Sequence, residues 1–166
     1  MSDVPSDETL TALAAEVLEA ARAGGDLIAT AESCTGGMVS ASLTSVPGSS
    51  DVFDRGFVTY TNAAKSEMLD VPFWLIEKHG AVSEEVARAM AGGALAHSNA
   101  TIAVAITGIA GPGGGTEDKP VGLVHFAAER RDVPTQHQRV EFGDLGRDEI
   151  RRLSVECALL MLRALA

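Results

Sequence analysis

The chain has 166 residues, 46% hydrophobic and 22% charged, a balance that suits one domain with its own core and excludes a disordered tail. Thirteen Lys and Arg against 23 Asp and Glu leave a net charge of −10, which argues against a nonspecific nucleic-acid binder, and an aromatic content of 4% argues against a base-stacking platform. A small anionic ligand stays possible, since a few local donors override a global field. Two Cys make no disulfide framework, residues 1–9 are too polar and acidic for a secretory leader, and no apolar run is long enough to cross a bilayer. The expectation is a cytoplasmic protein with no membrane and no nucleic-acid partner.

Residues 1–7 are expected to be flexible. Residues 10–23 then read as an amphipathic helix, with Leu10, Leu13, Ala14, Val17, Leu18 and Ala21 on one face and Gly24-Gly25 as its stop. A short buried strand follows over 27–31. Ser33-Cys34-Thr35-Gly36-Gly37 leads into a helix over 36–45, which Pro47-Gly48-Ser49-Ser50 breaks. Residues 53–60 read as a second strand, with Asn62 as the cap of a short helix over 63–69. Pro72 opens a helical stretch through Glu77, and Ser83-Glu84-Glu85 starts a longer helix to Ala96. Residues 101–106 make the clearest buried strand, followed by a Gly-rich loop from Gly108 to Pro120. Strands at 121–128 and 135–142, joined by residues 130–134, suggest a hairpin before a last helix over 146–165. Helices alternating with buried strands, then a hairpin, predict an α/β chain: a three-layer α/β/α domain with a mixed sheet over residues 1–166.

Two polar loops directly follow strands, where open α/β sheets bind ligands. The loop at Glu32–Gly37, which includes Ser33, Thr35 and Gly36, offers backbone N–H groups and a helix N-terminus to an anion or oxyanion. Ser33 or Thr35 acting only as a helix cap is the plainer alternative. The loop from Thr107 through Gly108, Gly111 and Gly113 fits neither the P-loop, because no Lys follows its glycines, nor G-x-G-x-x-G, because Thr116 replaces the last Gly.

If Asn62 caps a helix, Lys65 lies in its first turn. There the dipole and partial burial lower its pKa, and a neutral Lys can serve as base for a Ser hydroxyl. Ser49 and Ser50 stand just upstream, and Tyr60 is placed to relay a proton. An ordinary surface Lys is the plainer alternative. Arg147 opens the last helix, a position better suited to holding an anion than to stabilising the dipole. A solvated face balanced by Asp148 and Glu149 suits Arg151 and Arg152 better. The four His have no metal-ligand spacing, so no metal is expected. Cys34 is either a thiolate nucleophile or a small packed residue, and Cys157 reads as core.

Six blocks in fixed order carry a resemblance. Thr30-Ala-Glu-Ser-Cys-Thr-Gly-Gly37, Val46-Pro-Gly-Ser-Ser50, Tyr60-Thr-Asn-Ala-Ala-Lys65, Gly80-Ala-Val-Ser-Glu-Glu85, Thr107-Gly-Ile-Ala-Gly-Pro-Gly-Gly-Gly-Thr116 and Lys119-Pro-Val-Gly122 resemble the CinA C-terminal domain family over residues 10–163. The resemblance implies an α/β/α domain and, as in active members, metal-independent deamidation of nicotinamide mononucleotide (NMN) to nicotinate mononucleotide and ammonia, with no cofactor. It implies a stand-alone form, without the molybdopterin-binding-like domain many members carry, and a homo-oligomer. By motif position it puts Ser33, Ser50, Tyr60, Lys65, Thr107 and Arg147 in the site. On that basis Lys65 is the base, Tyr60 assists proton transfer, Ser33 or Thr107 stabilises the oxyanion, and Arg147 with the Gly-rich loop holds the phosphate. Ser50, which shares a segment with Tyr60 and Lys65, is favoured as nucleophile over Ser33. Thr61 stands where Ser is commoner in the family, and keeps the hydroxyl. Two other readings stay open: a nucleotide-binding or interaction module without catalysis, and a Cys34 hydrolase.

Overall fold

Apolar strands bounded by glycine, proline and capping residues assemble into a five-stranded sheet in the order β2-β1-β3-β4-β5. The computed structural model describes residues 3–166. In chain order the elements are α1 (Asp7–Gly24), β1 (Ile28–Glu32), α2 (Met38–Thr44), β2 (Phe53–Val58), α3 (Asn62–Leu69), α4 (Phe73–His79), α5 (Glu84–Ala96), β3 (Ile102–Gly108), β4 (Leu123–Arg130), β5 (Gln136–Glu141) and α6 (Arg147–Leu165), with one 3-10 turn at Ser49–Asp51. Strands β2, β1 and β3 are parallel, whereas β4 and β5 form the antiparallel hairpin, so the sheet is mixed as expected. Helices cover both faces, giving the three layers.

The period of two along each strand sorts side chains by size. Ile28, Ile102, Val104, Ile106, Val124 and Phe126 face α1, α2 and α6. Ala29, Ala31, Ala103, Ala105 and Ala127 face α3, α4 and α5. α5 packs over these alanines, and its Gly93 lies so near α3 that a Cβ there would come within 2.1 Å of the Leu69 carbonyl oxygen.

Caps set the helix ends. Ser6 accepts from Thr9 N at the start of α1, and Gly25 closes it in the left-handed conformation. Ser83 accepts from Val86 N and starts α5 as expected. The cap of α3 is Thr61, whose hydroxyl accepts from Ala64 N, and not Asn62. Of the N-terminal stretch expected to be flexible, residues 1–2 lie outside the described residues. Pro5 is buried, Asp7 opens α1, and Arg152 donates to Pro5 O and the Asp7 carboxylate. Arg152 is therefore a clamp on the N-terminus and not part of a solvated face. No helix of the described residues is long and apolar enough to cross a membrane.

Candidate active site

The loops leaving β1 and β2 turn to opposite faces of the sheet, towards α2 and α3, and open a crevice at the carboxyl ends of the parallel strands. A cleft of about 260 Å³ lies there. Ser33 and Cys34 line it from the β1 loop, Tyr60, Asn62 and Lys65 from the β2–α3 segment, and Ala81 and Val82 from the turn before α5. Residues 107–111, 113 and 114 line it from the end of β3, and Arg147 from the start of α6. Its wall carries hydroxyls, one amine and one guanidinium, with no carboxylate or imidazole among the described residues. In a chain of net charge −10, this is a local cationic pocket.

Strand parity aims the hydroxyls. Ser33 continues the series of Ala29 and Ala31 and so points to the α3 side, its N–H donating to Ile106 O at 3.0 Å. Thr107 continues the series of Ala103 and Ala105 on the same side. Lys65 starts on α3, and its side chain runs back along the helix towards the N-terminus, as long helical side chains do. It is 1% exposed. Its Nζ lies 3.0 Å from Ser33 Oγ, 2.8 Å from Thr59 O and 3.4 Å from Tyr60 O. Burial pushes the Lys65 ammonium down to about 8. At a given pH below that value, this raises the neutral amine about 300-fold over an unperturbed Lys. When neutral, Lys65 donates to the two carbonyls, which cannot donate, and its lone pair is left for the Ser33 O–H.

Thr107 is buried, with its hydroxyl donating to Ala81 O at 2.8 Å. Arg147 bridges the mouth of the cleft, donating to Gly111 O at 2.7 Å and to the Tyr60 hydroxyl at 2.8 Å. Behind Thr107, which pairs with His125 across β3 and β4, His125 Nδ1 lies 2.9 Å from His137 Nε2. Burial pushes His125 down to about 4. Cys34 is buried, and that burial pushes its thiol up to about 12, so it is no thiolate at neutral pH.

Ser33, Tyr60, Lys65, Thr107, Gly108, Gly111, Gly113 and Arg147 thus meet in one cleft, while Ser50, Thr35 and Gly36 do not. Ser50, favoured as nucleophile for its nearness in sequence, sits in the 3-10 turn that leads into β2. That turn belongs to the start of the sheet, where Ile28 N donates to Val52 O. Lys65 belongs to the other end, where Thr59 N donates to Glu32 O. The six residues of β2 put roughly 20 Å of extended chain between them.

The N-terminus of α2 is not free for a ligand either. The Glu32 carboxylate, fully buried, accepts from Val39 N at 2.8 Å, Ser40 N at 3.0 Å, Ser40 Oγ at 2.8 Å and Thr35 Oγ1 at 2.7 Å. Thr35 is therefore neither a cap nor a cleft residue, and Gly36 only turns the chain in the left-handed conformation. Arg151 holds the carbonyls of Cys34 and Thr35, at 3.1 and 3.2 Å, in place of the solvated role expected for it. Sequence reasoning placed Glu32 in the loop but missed its role, and missed the role of Arg151 and the cleft position of Asn62. The acid at the end of β1, immediately before a polar loop and a helix, was the available signal for Glu32.

Comparison with known proteins decides the family. A family model described as the CinA C-terminal domain matches residues 10–166. The chain belongs to the CinA C-terminal domain family. It is 51% identical to a CinA-like protein of Synechococcus sp. (strain RCC307) over 152 residues, 91% of this chain and 36% of that one. It is 56% identical to a CinA-like protein of Mycobacterium sp. (strain JLS), over 87% of this chain and 34% of that one. The chain thus spans about a third of the length of these curated relatives. Among solved structures it is similar to the competence/damage inducible protein CihA from Agrobacterium tumefaciens, with a TM-score of 0.93, 50% identity and 99% of both chains covered. It is also similar to a competence damage-inducible protein from Klebsiella pneumoniae, with a TM-score of 0.89, 37% identity and 93% and 95% of the two chains covered.

Proposed function

We propose that this CinA domain is a metal-independent amidohydrolase that converts NMN to nicotinate mononucleotide and ammonia, with Ser33 as nucleophile and Lys65 as its base. The observation that carries the reading is the 3.0 Å contact between a buried Lys65 amine and Ser33 Oγ. Neutral Lys65 takes the Ser33 proton as Oγ adds to the carboxamide carbon. The resulting ammonium then protonates the amide nitrogen, and the C–N bond breaks to release ammonia and a seryl ester. Water, deprotonated by the same amine, cleaves the ester to nicotinate and restores Ser33. Cys34 lines the cleft next to the nucleophile, and backbone N–H groups of this loop suit the oxyanion. Arg147 at the mouth suits the nucleotide phosphate, together with the Gly-rich loop. The exposed Met68, Phe73 and Trp74 on α3 and α4 suit self-association, which supports a homo-oligomer.

The test is ammonia release from NMN by the purified protein without added metal, with nicotinamide and NAD as controls. NMN alone is expected to react. Ser33→Ala is expected to lose several orders of magnitude in rate, and Ser50→Ala to keep wild-type turnover. A folded protein silent on all three compounds, or a Ser33→Ala variant at full rate, overturns the reading.

A further inference from the structure

We infer that Asn62 reads the substrate's carboxamide and sets the specificity of the cleft for a primary amide. The inference rests on the amidohydrolase reading above. Asn62 is the first residue of α3 and lines the cleft. The capping role that an Asn commonly fills is taken by Thr61, whose hydroxyl holds Ala64 N at 3.0 Å. Among the described residues, the Asn62 side chain makes no hydrogen bond, although its neighbours Thr61, Tyr60 and Lys65 all do. Asn62 is exposed where it lines the cleft, so its one acceptor and two donors are free to meet a ligand there.

Asn62 and Lys65 are three residues apart on one helix, so they share a face, with about 5–6 Å between Cβ atoms. The carbon attacked by Ser33 carries the amide nitrogen one bond away. That nitrogen must turn towards Lys65 to receive the proton with which it leaves. Asn62 stands on the same side of the cleft, where its carbonyl oxygen accepts an N–H of the substrate and holds the nitrogen in that orientation. The nucleotide's anionic end is served by Arg147, the guanidinium of the same cleft.

The experiment compares Asn62→Ala with Asn62→Asp. Both leave the Thr61 cap in place, and circular dichroism checks the fold. Ammonia release from NMN by the wild-type protein is measured first, and its absence sinks the amidohydrolase reading itself. With that reaction in hand, kcat/KM for NMN is followed to its high-pH plateau, where Lys65 is neutral in every variant. Asn62→Ala is expected to lose on the order of tenfold or more, because an acceptor for the amide is gone. Asn62→Asp keeps the acceptor and is expected to stay within about threefold of wild type, with inhibition by the carboxylate product weakened by like charge. A wild-type plateau in Asn62→Ala, or an Asp variant as impaired as the Ala variant, overturns the inference.

Discussion

Replacing Lys65 with Met separates the cost of a buried amine from its use. With its pKa at about 8 in the fold, against an ordinary value of 10.5, Lys65 is held in a site that disfavours its charge. The sign follows from proton counts. Between those two values the unfolded chain binds more protons than the folded one, so the burden on the native state is full below pH 8 and lifts as pH rises towards 10.5. The full burden is about 3 kcal/mol. Met fills a similar volume without charge, but leaves Thr59 O and Tyr60 O without their donor, at a cost of about 1 kcal/mol each. At pH 7 the variant is therefore expected to be more stable than wild type by about 1 kcal/mol, and inactive. Its advantage should shrink with pH, by about 2 kcal/mol between pH 7 and pH 9.5, so that wild type becomes the more stable protein. Urea titrations at the two pH values measure the gap. A gap that does not change with pH means that Lys65 carries an ordinary pKa, and the argument for a neutral base at Ser33 fails with it.

Neighbouring glycines in α5 should respond in opposite ways. Gly93→Ala drives a Cβ to 2.1 Å from the Leu69 carbonyl and is expected to cost about 3 kcal/mol or more in a thermal or urea melt. Gly92→Ala meets only the end of the Glu129 side chain, at 3.5 Å, and is expected to stabilise by about 0.5–1 kcal/mol. A mild Gly93→Ala would show that α5 has room to move. On the acid side, His125 is held neutral by burial with its pKa at about 4, so the unfolded chain gains a proton first and stability falls as pH drops from 6.5 towards 4. His125→Asn is expected to make that fall shallower, seen in urea midpoints across the same range, with the part due to His137, which burial also holds down, left in place, and an unchanged slope would refute the assignment.

The layered fold was legible because its signals are local. The apolar run at 102–106, the Ser83 cap and the alternation around residues 130–134 each state their structure within a few residues. The site was legible in part. A helix start after a strand made Lys65 a candidate base but left an ordinary surface Lys as the plainer reading; the pairing with a Ser hydroxyl came from the family resemblance, and the identity of that Ser stayed open. Sequence nearness favoured Ser50, whereas a parallel strand carries the chain from one end of the sheet to the other between positions 50 and 65. Ser33, 32 residues away in sequence, arrives at Lys65 because β1 and β2 end side by side. The role of Glu32 was hidden for a similar reason. A carboxylate at the end of a buried strand reads as an error until the helix that it satisfies is folded over it.

The division of the sheet into a side of large residues and a side of alanines bears on how this protein can change over generations. On the side facing α1 and α6, a substitution tends to trim a side chain, and the resulting void carries a graded cost that neighbours partly absorb. On the side facing α5, almost any replacement of Ala29, Ala31, Ala103, Ala105 or Ala127 adds atoms where no space exists. Drift is thus permitted on one side of the sheet and nearly forbidden on the other. Ser33 and Thr107 extend the forbidden side, so the cleft's buried hydroxyls are mounted on the part of the scaffold that sequence change moves least.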